Sequence, residues 1–149
     1  IPLITPAIVD DYISQCTPPP ASIYYATVPR ELMESRFPGS RRSYVHFTDG
    51  DLAGADLFMV DPRIAYDNRE LWDDLIGSRK SALKQAQRLG LGLLLKLLLH
   101  RLSVAEAERR VSKTMNLNGR VIKVRYAELG MDVDKPFQLE ICRQELLER

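Results

Sequence analysis

Three aspartates within eight residues, Asp49, Asp51 and Asp56, with Gly50 and Gly54 between them, are the side chains best placed for chemistry. Carboxylate oxygens are hard ligands. A strand that ends in Asp-Gly-Asp can hold two of them at a loop mouth, where they suit magnesium, manganese or calcium. Such a site would support hydrolysis in which Mg2+ positions a water and stabilises developing charge. The same residues also make an ordinary hairpin turn, because aspartate next to glycine satisfies local backbone groups. Glu70 is a fourth candidate carboxylate. The sequence shows no Ser-His-Asp set, phosphate-binding glycine loop, CxxC pair or HExxH, and no glutamate closes a calcium loop at the required spacing.

Two resemblances attach to this cluster. The run Tyr44-Val45-His46-Phe47-Thr48-Asp49-Gly50 resembles the first catalytic strand of ribonuclease-H-like nucleases, which carry a Thr-Asp-Gly turn, and Glu70 falls roughly where that family places its second carboxylate. The resemblance stops after Glu70, where that family continues into a strand and this chain into a leucine-rich segment. Asp49-Gly50-Asp51 is also similar to the metal-binding dyad of nucleotide-sugar glycosyltransferases, whose chains are much longer. Further on, Leu102-Ser103-Val104-Ala105-Glu106-Ala107 resembles the first helix of a helix-turn-helix, with Ser112-Lys113-Thr114 at the start of the second. No glycine marks the turn, however, and Asn116, Asn118 and Gly119 leave that second helix no room.

Charge is the second source of function. Residues 1–78 hold six basic and twelve acidic side chains, residues 79–125 twelve basic and two acidic, and residues 126–149 three basic and six acidic. A basic middle between acidic ends suits a polyanion, RNA or DNA, or an acidic protein surface. The residues that would make this contact are Lys80, Lys84, Arg88, Arg109, Arg110, Lys113, Arg120, Lys123 and Arg125. Alternatively the acidic ends dock on the basic middle of a second copy, giving a self-assembling homo-oligomer, or the segments neutralise one another within one fold.

The elements that must position these residues follow from periodicity. Thr5 and Pro6 open a helix as N-cap and first residue, and Pro18, Pro19 and Pro20 end it as a rigid spacer. Aromatic and β-branched residues predict strands at 22–28, 41–47, 56–60, 120–126 and 137–142, with 41–47 and 56–60 paired across the aspartate loop. Pro29 restarts a helix through Phe37. Residues 68–102 predict a central helix, of which Leu89–Leu102 holds nine leucines in fourteen residues. That run falls short of the roughly 20 residues a membrane span needs, so a mostly buried core helix is expected and no membrane span. Ser103 and Glu106 form a capping box for the next helix.

At 149 residues the chain is expected to form a single α+β domain over 1–149, an antiparallel sheet packed on the leucine-rich central helix. Because Ile1 is not methionine, an excised domain or processed fragment is an open expectation. The two cysteines, Cys16 and Cys142, lack metal-ligand spacing, and no secretory signal is visible, which points to an intracellular protein, cytoplasmic or nuclear. The leading reading is a non-enzymatic binding or assembly module without a cofactor; the alternative is a Mg2+-dependent hydrolase or nuclease on Asp49, Asp51 and Asp56.

Overall fold

The computed structural model describes residues 1–17, 21–67 and 91–148. In chain order these form α1 (Pro6–Gln15), β1 (Ile23–Pro29), α2 (Arg30–Arg36), β2 (Val45–Phe47), β3 (Gly50–Val60), α3 (Pro62–Asp67), α4 (Leu91–Leu98), α5 (Val104–Met115), β4 (Gly119–Lys123), a short 3-10 turn (Ala127–Gly130) and α6 (Pro136–Leu147). The fold is α+β; the described residues hold six helices and a four-stranded sheet of order β2-β3-β1-β4.

Strand β1 is the spine. It pairs antiparallel with β3 and parallel with β4, from Ile23 opposite Gly119 to Thr27 opposite Lys123. The parallel pair departs from the all-antiparallel expectation. Parallel strands need a crossover of a dozen or more residues, and here the chain between β3 and β4 returns β4 to the end where β1 begins. Ser22 N and Ile23 N both donate to Asn118 O there, at 2.7 and 3.2 Å.

Side chains alternate across a strand, and β1 uses the two faces differently. Tyr24, Ala26 and Val28 enter the main core with Ile8, Tyr12 and Cys16 of the α1 segment, Met33 and Phe37 from the α2 segment, Leu129 and Met131 from the 3-10 segment, and Cys142 of α6. Tyr12 Oη donates to Tyr24 O at 2.9 Å. Each large side chain buried this fully contributes about 1.5–3 kcal/mol. The opposite face, with Ile23 and Tyr25, turns toward α5. Both cysteines are buried free thiols whose pKa burial pushes up.

Several local expectations hold. Thr5 Oγ1 accepts from Ile8 N at 3.4 Å with Pro6 opening α1, and Ser103 Oγ accepts from Glu106 N at 3.2 Å at the start of α5. Asn116, in the left-handed region at φ +50°, ends α5, and residues 112–114 lie inside that single helix.

Others are corrected. Residues 137–142 are helix: Phe137, Leu139 and Ile141 alternate as in a strand, but Pro136 sits at the first helical position, and the buried Gln138 and Cys142 lie one turn apart on the core face. The 41–47 strand shrinks to Val45–Phe47, since Arg41 takes φ +52°. The 56–60 strand extends back to Gly50, so Asp51 and Asp56 lie within β3. Here β2 pairs with residues 50–52 in a tight hairpin, while residues 58–60 pair with β1.

Most of the predicted central helix, residues 68–90, lies outside the described residues. The described end of that stretch is α4, where Leu95 and Leu98 are more than half exposed, as is Leu99 just after it. Leucine density alone does not bury a helix; among the described residues the main sheet-face core is filled by the other segments. No helix among the described residues is long and apolar enough to cross a membrane.

Candidate functional site

Among the described residues the sheet has one register shift, and Asp56 sits on it. Between Tyr25, opposite Phe58, and Thr27, opposite Gly54, β1 advances two residues while β3 advances four. Such a bulge bends the strand and re-aims its side chains, which is why bulges recur beside functional sites. Asp56 is at its centre. Its carboxyl lies in the electrostatic field of Asp132 and Asp134, with the Arg42 guanidinium opposing them. Burial is the largest cause pushing the Asp56 pKa above the usual carboxylate range; the like charges of Asp132 and Asp134 add to it, and Arg42 pulls it back.

Three contacts hold the partners in place. Gly130 lets the 3-10 turn lie directly on the core: an added Cβ would stand 3.0 Å from Met33 Sδ and 3.1 Å from Val28 Cγ2. That close approach delivers Asp132 to the edge of the bulge, where its Oδ1 accepts from Val133 N at 2.9 Å. The buried Gln138 then ties both sides together. Its Oε1 accepts from Asp134 N and Lys135 N, both at 3.0 Å, and its Nε2 donates to Ser40 O at 3.3 Å. Ser40 precedes the arginine pair, and Arg42 Nη2 reaches Gly54 O at 3.0 Å.

Tyr25 completes the wall. Its ring stacks on Phe58 with centroids 4.9 Å apart and planes 19° from parallel, while its hydroxyl occupies the space where a side chain on Gly54 would begin. Burial, then the Asp56 charge, pushes its pKa up, and Arg42 moderates this.

Asp56 and Asp132, opposed by Arg42, make the bulge an acidic edge. Such an edge suits one divalent cation held by one or two carboxylates together with a ligand's own oxygens, as Mg2+ is commonly held. Among the described residues no three histidine, cysteine, aspartate or glutamate side chains converge as a metal cage.

The structure separates the three aspartates singled out in the sequence. Asp49 Oδ1 accepts from Val104 N at 3.0 Å, at the first residue of α5, and Lys123 Nζ donates to Asp49 O at 2.9 Å. Asp51 lies between His46 Nδ1 at 2.8 Å and Arg30 Nη1 at 3.1 Å; the His46 hydrogen bond, then Arg30, hold its pKa low. Only Asp56 lies at the acidic edge of the bulge.

The basic set divides as well. Lys80, Lys84, Arg88 and the candidate carboxylate Glu70 lie outside the described residues. Arg120 pairs with Glu108 at 3.6 Å, Lys123 with Asp49 at 3.8 Å and Arg125 with Asp11 at 3.9 Å. Arg109, Arg110 and Lys113 are exposed on α5.

Asp132, Arg42 and Tyr25 join the candidate site and were passed over by sequence reasoning. Asp132-Val133-Asp134 repeats the Asp-x-Asp spacing of Asp49-Gly50-Asp51, the one signal that could have found it; nothing local in the sequence links Tyr25 or Arg42 to it.

No family model matches this chain, and no curated protein matches it. A solved structure described as a hypothetical transferase from Thermus thermophilus is 32% identical and superposes with a TM-score of 0.83, over 91% of this chain and 58% of that one. This chain therefore shares that protein's fold and spans somewhat more than half its length.

Proposed function

We propose that this chain forms part of a group transferase, with the Asp56–Asp132 pair as the cation-binding edge of its reaction site. The observation that carries this reading is the β3 bulge with Asp56 at its centre, facing the acidic loop of Asp132 and Asp134. The 32% identity to a chain described as a hypothetical transferase supports it. A divalent ion held by one or two carboxylates is usually completed by phosphate oxygens, so the transferred or leaving group is expected to bear phosphate. Bound there, Mg2+ or Mn2+ would offset charge on those oxygens. For the chain's own part, Asp56 and Asp132 hold the ion, Asp134 deepens the negative field, and Arg42 prevents the carboxylates from repelling one another apart. Gln138 keeps the Asp132 loop and the Arg42 segment in register.

Mn2+ titration followed by amide line broadening tests this. Broadening should centre on residues 55–57 and 131–134, and Asp56→Asn or Asp132→Asn should weaken the ion at least tenfold, whereas Asp51→Asn should not. Equal binding by all three variants would rule the reading out.

A second reading, contact with a polyanion, rests on Arg109 and Lys113. One helical turn apart on exposed positions of α5, neither has an ion-pair partner among the described residues. Binding of a mixed-sequence RNA that weakens steeply with salt, and weakens further in Arg109→Glu/Lys113→Glu, would favour it; salt-independent or absent binding would exclude it.

A further inference from the structure

We infer that the molecule processed at the Asp56–Asp132 site carries a compact apolar group, an aryl ring or a short branched alkyl chain, that seats in the cleft between α5 and strands β1 and β4. This rests on the transferase reading and adds a substrate class to it.

The cleft measures about 200 Å3 and is walled by Ile23, Tyr25, Val111, Met115, Leu117 and Val121. Two polar side chains on its rim are engaged within the fold. Ser112 Oγ accepts from Gly119 N at 3.0 Å, and Glu108 Oε1 accepts from Val121 N at 2.6 Å while its other oxygen pairs with Arg120. Beyond the Arg120 guanidinium at the rim, half exposed and 3.6 Å from Glu108, the lining among the described residues is mostly apolar. A polar guest seated there would lose its hydration, at a cost of about 1–3 kcal/mol per group. An apolar guest loses nothing comparable. Size narrows the class, since an apolar protein cavity of about 150 Å3 accepts benzene.

Tyr25 connects this cleft to the carboxylates. One residue supplies a cleft wall, stacks on Phe58, and places its hydroxyl over Gly54, two residues from Asp56. A molecule whose apolar end fills the cleft therefore has its next atoms directed along Tyr25 toward the bulge, where transfer would occur.

Toluene added to the full chain, followed by methyl shifts and then by Mn2+, tests the inference. Saturable shifts are expected at Ile23, Val111, Met115 and Val121, falling at least tenfold in affinity in Val111→Phe and in Met115→Phe. The unchanged methyl shift of Met33 reports that each variant is folded. Mn2+ should then broaden the signal of bound toluene in the unmutated chain and not in Asp132→Asn. Absence of saturable shifts, or shifts that survive both cleft variants, with Mn2+ broadening at Asp56 intact, overturns the cleft inference and leaves the transferase reading standing. Toluene binding without any Mn2+ binding at Asp56 overturns the transferase reading, and the substrate assignment with it.

Discussion

The Asp56 carboxyl, at the centre of the β3 bulge, lies in the field of Asp132 and Asp134 and opposite Arg42. A carboxyl whose folded pKa is raised contributes stability while it is protonated and loses that contribution as pH rises through the folded value. Without metal, the melting temperature should therefore rise as pH falls from neutral toward the upper edge of the carboxylate range, and Asp56→Asn should flatten that rise. At neutral pH the Asn variant should be the more stable of the two, by a margin that solvent screening keeps small. Added Mn2+ should reverse the order, because only the carboxylate gains from the ion. Thermal scans across pH, with and without Mn2+, would show it.

Gly54 faces the Tyr25 hydroxyl so closely that a methyl group there must displace the ring. Gly54→Ala should cost about 1–3 kcal/mol, as overpacking usually does. Tyr25→Phe, which deletes the clashing oxygen, should recover much of this in the double variant. A denaturant double-mutant cycle with no coupling would show that the two side chains do not compete for that space.

Asp49 is a capping residue in this fold. Asp49→Ala removes the acceptor for Val104 N and should cost about 1 kcal/mol in urea unfolding, the range of helix N-terminal caps. Its Mn2+ affinity should match that of the unmutated chain. A tenfold loss of Mn2+ binding would return Asp49 to the metal site.

Asp51 follows the opposite pH rule to Asp56. His46, then Arg30, hold its folded pKa below the usual value, so its contribution is complete above about pH 4 and disappears as pH falls through the depressed folded value. The melting-temperature gap between the unmutated chain and Asp51→Asn should be constant near neutrality and close in acid. A gap that widens in acid would contradict this assignment.

Gln138 joins the Asp132–Lys135 loop to Ser40 from a position only 3% exposed. Gln138→Leu keeps the volume but strands three backbone groups, and should cost about 1–3 kcal/mol. It should also weaken Mn2+ by loosening Asp132 against Asp56, whereas the surface variant Gln144→Ala should change neither. Calorimetric Mn2+ titration of the two variants separates a positioning role from a purely structural one.

What the sequence determined by itself was local. Thr5 with Pro6 and Ser103 with Glu106 place helix starts because a cap is a contact between residues three apart, and Ile23–Val28 reads as a strand because its side chains suit a pleated surface. The α+β class follows from the same short-range periodicities. The tertiary structure decided what depends on distant partners. Phe137–Cys142 alternates like a strand, but Pro136 and the burial of Gln138 and Cys142 on one face make it a helix. The leucines of α4 are dense, but other segments occupy the described sheet-face core. Asp49, Asp51 and Asp56 look like one cluster along the chain, yet a hairpin and a bulge send them to a helix cap, an ion pair and an acidic edge. Asp132 comes into the field of Asp56 because the parallel return of β4, and the close seating of the Gly130 turn on Met33 and Val28, carry it there. No window of neighbouring residues encodes that approach; it follows from strand order and core packing.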